Sequence, residues 1–265
     1  METKNKFREI EVLPLINLDN IDIKVSTFTE KKITFKNEEQ YREVIGKLQN
    51  IINKNPNAIV KTKVGNMQTV TTRIKSTKNK KKVFMFPEPN PVCIYYNSAI
   101  KHLENSNLIK KDLFEVKNGF NSNDNFVEFS KYYSEISQGI ILLVTTLEGF
   151  LNQLLPDDIE FLYLEKKHNK SHIEMLDIST KIRKVVKHLH NIDFYVTNPT
   201  EYDNISLLVN LRNDLVHLKT NIKSNLTVYQ DLYKRLIDID LINISESVFI
   251  FINKIVPNYF IEKSL

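Results

Sequence analysis

Cysteine occurs once in the 265 residues, at Cys93. A single thiol can form neither an intramolecular disulfide nor a cysteine-based metal site, and a reduced, cytoplasmic setting fits it. Glycine is also scarce, at 5 residues, which argues against Gly-lined phosphate loops. No Walker loop, dinucleotide fingerprint, H-E-x-x-H or G-x-S-x-G run is present. Tryptophan is absent. Long apolar runs are lacking too: the longest, Gly139 to Leu155, is broken by Thr145, Thr146, Glu148, Asn152 and Gln153, and is too short and too polar to span a bilayer. The opening M-E-T-K-N-K-F-R-E is too charged for a secretory signal. These absences lead us to expect a cytoplasmic protein with no membrane association, no metal and no cofactor.

What is present is ordinary for a globular chain: 42% hydrophobic and 26% charged residues. The formal net charge of +5 is unevenly placed. Residues 1–90 hold 18 Lys and Arg against 10 Asp and Glu, and the remainder holds 19 against 22. No acidic residue lies between Glu43 and Glu88, a span that contains Lys78, Lys80, Lys81 and Lys82. Such segregation suits a polyanion near the N-terminal part. A solvated lysine bias accounts for it equally well, because Asn and Lys are frequent throughout.

The pattern predicts a fold in two parts. Strands are expected at Phe7 to Ile16, Ile21 to Val25 and Lys31 to Lys36, followed by a helix from Glu38 to Asn53 capped by Asn37. Ala58 to Val64 and Gln68 to Lys75 read as a hairpin about Gly65-Asn66, with a third strand at Lys82 to Phe86. The run Pro87-Glu88-Pro89-Asn90-Pro91 continues neither helix nor strand and marks the boundary. Beyond it the period becomes helical: Cys93 to Leu108, Glu128 to Leu155, Asp157 to His168, Ser171 to His188, Glu201 to Val216, and Tyr229 to Phe260 with a bend near Ile242–Ser245. The expected class is α+β, with a basic α+β domain over residues 1–90 and an all-α bundle over 91–265.

The chemistry is sought in Leu207 to Lys219, L-L-V-N-L-R-N-D-L-V-H-L-K. An apolar run is followed by Arg212, Asn213 and Asp214, then by His217. Arginine stays charged and binds phosphate oxygens in a fork, while histidine exchanges a proton near neutral pH. Five helical residues turn about 500°, which leaves Arg212 and His217 roughly 140° apart. Either the helix ends within the motif, or the site is built across an interface. Upstream, Glu148 and Asn152 in T-T-L-E-G-F-L-N-Q share a helix face beside an apolar stripe, where a polar pair wants a partner. Arg212 or Asn213 is the candidate. A second R-x-x-x-x-H run, Arg183 to His188, has Lys184 directly after its arginine.

The segment resembles the signature of HEPN-domain proteins, R-x-x-x-x-H with a polar residue directly after the arginine, and the resemblance covers roughly Phe126 to Phe260. It implies an all-helical bundle, two copies of which pair so that both motifs line one cleft. It further implies metal-independent RNA cleavage, in which the ribose 2′-OH attacks the adjacent phosphorus and leaves a 2′,3′-cyclic phosphate. His217 and its symmetry mate would act as general base and general acid. Arg212 would stabilise the phosphorane charge, and Asn213 would orient His217 or the phosphate. Glu148, Asn152 and Asp214 would support them. Lys78, Lys80, Lys81, Lys82, Lys219, Arg183, Lys187 and His188 are the candidate RNA contacts. Expected partners are RNA, a second copy through the helical domain, and an antitoxin or regulatory protein, in a toxin or anti-phage setting.

Weaker candidates are His168 and His172, four apart with Glu165 and Glu174 nearby, which read better as an exposed polar face than as metal ligands. Tyr95-Tyr96 and Tyr132-Tyr133 offer stacking surfaces. Two rival readings of the chain are a non-catalytic HEPN-like interaction or nucleotide-sensing module, and an RNA-binding protein that uses its basic N-terminal part.

Overall fold

The computed structural model describes residues 6–11, 60–64, 67–75, 78, 83–87, 89–115, 122–217 and 229–263. The chain divides into two compact units, Leu13–Asn90 and a second formed by Met1–Val12 together with Pro91–Leu265. The expected strands at Ile21 to Val25 and Lys31 to Lys36, the helix Glu38 to Asn53, the Gly65-Asn66 turn and the polar turn Thr220–Leu226 lie outside the described residues.

In the smaller unit, β1 (Val60–Val64), β2 (Met67–Lys75) and β3 (Val83–Pro87) form an antiparallel meander in that order. Val64 pairs with Met67 across the first connection and Lys75 with Val83 across the second. These β-branched stretches lie where their residue types place them.

The larger unit is mostly helical. Helices α1 (Pro91–Glu115) and α2 (Ser122–Gln153) pack along their lengths. The α1 stripe Val92, Cys93, Tyr96, Ala99, Ile100 and Leu103 is wholly buried, as is the α2 stripe Ile136, Ile140, Leu143, Leu147 and Phe150. At Gly139 a β-carbon would collide with Leu103, so only glycine lets the two helices approach this closely. Against α2 lie α7 (Pro199–Val216) and α9 (Leu241–Ile255), which bury Ile205, Leu208 and Leu211 beside Val248, Phe251 and Ile252. α2 is therefore the helix around which the site is arranged.

Several local expectations are revised. The segment Asp157 to His168 is not a helix. It holds a hairpin of β4 (Phe161–Tyr163) and β5 (Lys166–His168), with Phe161 buried and Leu162 exposed in strand alternation. Ser171 to His188 is broken into α3 (Lys170–Glu174), α4 (Ile178–Thr180), a π-helical turn Lys181–Val185 and α5 (Val186–His190). Asn169 and Asp177 make the breaks by accepting the backbone N–H groups of His172 and Thr180. After α6 (Phe194–Thr197), Pro199 opens α7. The last helix is two, α8 (Tyr229–Asp238) and α9, because Asp240 accepts the Asn243 N–H at 3.1 Å and restarts the chain.

Residues 6–11 also depart from expectation. The expected strand is reduced there to one bridge residue. Phe7 and Ile10 are buried in the helical core, and Ile10 makes a single antiparallel bridge to Glu262. The Asn97 side chain accepts the Ile10 N–H at 3.0 Å and donates to the Ile10 carbonyl at 2.7 Å. In sequence, the smaller unit is thus inserted between two parts of the larger one.

Candidate functional site

The end of α7 is built by its apolar face. Leu208, Leu211 and Leu215 are buried against α2 and α9, which turns the residues between them outward. Arg212 is 23% exposed, and Asn213, Asp214 and His217 are exposed. The helix stops at Val216, inside the R-x-x-x-x-H run. His217 leaves helical geometry, with φ −109° and ψ 45°, and its backbone N–H donates to the Asn213 carbonyl at 2.9 Å. Of the two geometries the spacing allowed, a helix that ends within the motif is therefore realised, so the imidazole is no longer bound to the direction the helix would give it.

Arg212 reaches across to α2. Its Nη2 donates to Glu148 Oε1 at 2.5 Å, a charge-assisted bond between partly exposed groups. Arg212 Nε is buried without a hydrogen-bond partner among the described residues. A guanidinium has five N–H donors; Nε is enclosed and one Nη2 hydrogen is spent on Glu148, so among the described residues the remaining Nη hydrogens are those open to another acceptor.

The other expected supports take different partners. Asn152, one turn from Glu148, is bound neither by Arg212 nor by Asn213: its Oδ1 accepts from Lys181 Nζ at 2.9 Å. Lys181 also donates to the Glu174 carbonyl at 2.7 Å and is itself only 3% exposed. Burial pushes its ammonium below the ordinary lysine value, and the carboxylates of Glu148, Glu174 and Asp177 oppose that shift. Sequence reasoning missed Lys181. Its signal was there, a lysine three residues after Ile178 and four before Val185, on the apolar side of a helical pattern. Asp214 pairs with Arg235 at 2.8 Å rather than with Arg212, and Arg235 also holds Asp231 at 3.0 Å, which ties α7 to α8.

The candidate RNA contacts that the structure describes have separate surroundings. Lys78 is exposed. Lys80, Lys81, Lys82 and Lys219 lie outside the described residues. The Arg183 guanidinium sits over the Tyr195 ring, 4.6 Å from its centroid. Lys187 pairs with Asp193 at 2.5 Å and holds that carboxyl below its ordinary value. His188 is exposed beside the Phe161 ring, 5.3 Å between centroids. No hydrogen bond or ion pair joins Arg183, Lys187 or His188 to Arg212 or His217 among the described residues.

The His168 and His172 rings meet edge-on at 6.0 Å. Among the described residues, no group of three or more His, Cys, Asp or Glu side chains is placed to hold a metal ion. Tyr96 and Tyr132 are core residues, and Tyr132 donates to the Leu236 carbonyl at 2.7 Å. No described helix is long and apolar enough to cross a membrane. Compared with known protein families, with curated proteins and with solved structures, the chain matches none.

Proposed function

We propose that this protein is a HEPN-type endoribonuclease whose chemistry is carried by Arg212 and His217, cleaving RNA by attack of a ribose 2′-OH and leaving a 2′,3′-cyclic phosphate. The observation that carries the reading is the arrangement at the end of α7. Among the described residues Arg212 is braced by one carboxylate through Nη2, and a solvent-exposed imidazole follows five residues later, just past the helix end. An exposed histidine can take the 2′-OH proton, and a braced guanidinium can meet the charge that grows on the phosphoryl oxygens. RNA rather than DNA is the substrate because the nucleophile is the 2′-OH. Asn213, exposed beside Arg212, is the third polar group available to the phosphate. A second copy, paired through the helical unit, would bring a second His217 as general acid. The cellular role that goes with this activity is a toxin or anti-phage effector, with an antitoxin or regulatory protein as partner.

The same geometry favours one rival. The 2.5 Å Arg212–Glu148 pair, partly buried, also suits a bundle whose arginine is structural and whose function is interaction or nucleotide sensing. One experiment separates the two readings. Purified wild type, Arg212→Ala and His217→Ala are incubated with bulk RNA and EDTA, and the product termini are analysed. Cleavage by wild type alone, with 2′,3′-cyclic ends, supports the ribonuclease, whereas RNA left intact by wild type, or cut equally by His217→Ala, rejects it. Growth arrest on expressing wild type but not His217→Ala in a bacterial host tests the toxin role, and sedimentation tests the dimer.

A further inference from the structure

The second R-x-x-x-x-H run, Arg183 to His188, takes no part in the chemistry above. It lies on the π-helical turn Lys181–Val185 and on α5, a continuous helical stretch. Burial along that stretch alternates in pairs. Lys181 and Ile182 are buried, as are Val185 and Val186, while Arg183 and Lys184 are exposed, as are Lys187 and His188. The two buried pairs fix the inner side, so the four polar residues of the run share one outer face. The inner side is also bonded in place: Lys181 donates to Asn152 at 2.9 Å, one turn of α2 from the Glu148 that meets Arg212.

Each end of the outer face is packed against a ring. The Arg183 guanidinium lies over Tyr195, 4.6 Å from its centroid, and the His188 ring is 5.3 Å from that of Phe161. A guanidinium backed by a ring on one side still offers its other face and its N–H edge, and Arg183 is exposed. Between the two planar groups come the ammonium groups of Lys184 and Lys187. Lys187 pairs with Asp193 at 2.5 Å, whereas Lys184 has no ion pair among the described residues. Asp193 is the one carboxylate that a described contact joins to this face, so three permanent cations meet a single negative charge.

Planar groups at both ends with cations between them match a polymer in which flat bases alternate with phosphates. Five residues of helix rise about 7 Å, roughly twice the about 3.4 Å between stacked neighbours, so bases held at the two ends are splayed apart. That is the state in which single strands are recognised. An acidic protein surface would be served by the cations alone and has no use for the planar ends. We infer that this face is a binding site for single-stranded RNA, distinct from Arg212 and His217, in which Arg183 and His188 stack on bases and Lys184 and Lys187 meet phosphates. The choice of RNA over DNA rests on the ribonuclease reading, whereas the recognition of bases and phosphates does not.

The test uses the full chain and a short fluorescent 2′-O-methyl RNA strand, which has no free 2′-OH and so survives the proposed cleavage. Affinity is read by anisotropy across a salt series. Arg183→Lys keeps the charge and removes the plane, and is expected to weaken binding about 5- to 50-fold with the salt dependence unchanged. Lys184→Gln keeps the planes and removes one cation, and should lower the slope of log affinity against log salt by about 0.7. Polyphosphate, which has the charge without the bases, should compete poorly. No binding by wild type, or wild-type affinity in Arg183→Lys, overturns the inference. So does competition by polyphosphate or polyglutamate as strong as that of the strand itself, which marks a plain cationic surface suited to an acidic protein. A DNA strand of the same sequence should bind comparably, and a clear preference for DNA overturns the choice of RNA. The two readings fail separately. If wild type leaves RNA uncut yet shows these dependences, the ribonuclease falls and the binding site stands. If wild type cuts RNA while both variants bind as it does, the binding site falls and the ribonuclease stands.

Discussion

Removing residues 1–90 should unfold the helical unit, whereas replacing only residues 13–90 with a flexible linker should leave it folded. The reasoning starts at Ile10, which is wholly buried, and Phe7, which is 7% exposed. Returning each side chain to water forfeits about 1.5–3 kcal/mol. Asn97 is buried on α1 and satisfies its amide on both backbone groups of Ile10, at 3.0 and 2.7 Å. Losing both partners costs about 1–3 kcal/mol more. The surface pairs Arg8–Glu262 and Lys263–Glu9 add little. The total, about 4–9 kcal/mol, is comparable with the whole stability of a typical domain, about 5–15 kcal/mol. The linker is feasible because Asn97 lies roughly 9 Å along α1 from Pro91 and already touches Ile10, while ten Gly/Ser residues span about 17 Å. Urea unfolding monitored by circular dichroism at the helical band compares the two variants. The linker variant should show one cooperative transition. The variant that begins at Pro91 should lack most of its stability or fail to fold, and Asn97→Ala should destabilise the former while adding little to the latter. Equal urea midpoints for the two would refute the argument that the first residues close the helical core.

Three further outcomes follow from named contacts. The β4–β5 turn places Leu164 at φ 50° and Glu165 at φ 61°, a left-handed pair usually filled by Asn-Gly, so Leu164→Asn with Glu165→Gly should stabilise the protein by about 1 kcal/mol and raise its melting temperature by about 2–4 °C; an unchanged or lower melting temperature argues against strain there. Glu148→Ala leaves Arg212 without its carboxylate and should cost about 1–2 kcal/mol in urea unfolding, more than Asp214→Ala, whose partner Arg235 keeps Asp231. Burial holds His190 below its ordinary value of 6.5, so the unfolded chain binds this proton more readily than the folded one. Stability is therefore lost as the pH falls below about 6.5, and His190→Gln should flatten that loss in urea midpoints measured between about pH 7.5 and 5; identical pH profiles would show that His190 does not contribute.

Much of the helical unit was legible because its signals are long. The buried α2 stripe, Tyr132 to Leu151, repeats through about five turns, and no short-range accident imitates that. The strands β1 to β3 were legible from their β-branched content. The hairpin at Phe161–His168 was not, because Leu164-Glu165 carries no turn signature and F-L-Y-L fits an apolar helix face as readily as a strand. The attachment of residues 6–11 to the helices was hidden for a different reason: an apolar run says that it will be buried but not against what. The Pro-rich boundary made everything before it look like one domain, and the closure is revealed by contacts across the chain: the Asn97 amide, 87 residues from Ile10, and the Ile10–Glu262 bridge.

The site divides along the same physical line. That Glu148 and Asn152 needed partners could be read from two polar residues on one apolar face; of the two candidates, Arg212 and Asn213, it is Arg212 that meets Glu148. Lys181 could not be named for Asn152, because its direction depends on a π-helical turn that has no sequence signature and on the packing of that turn against α2.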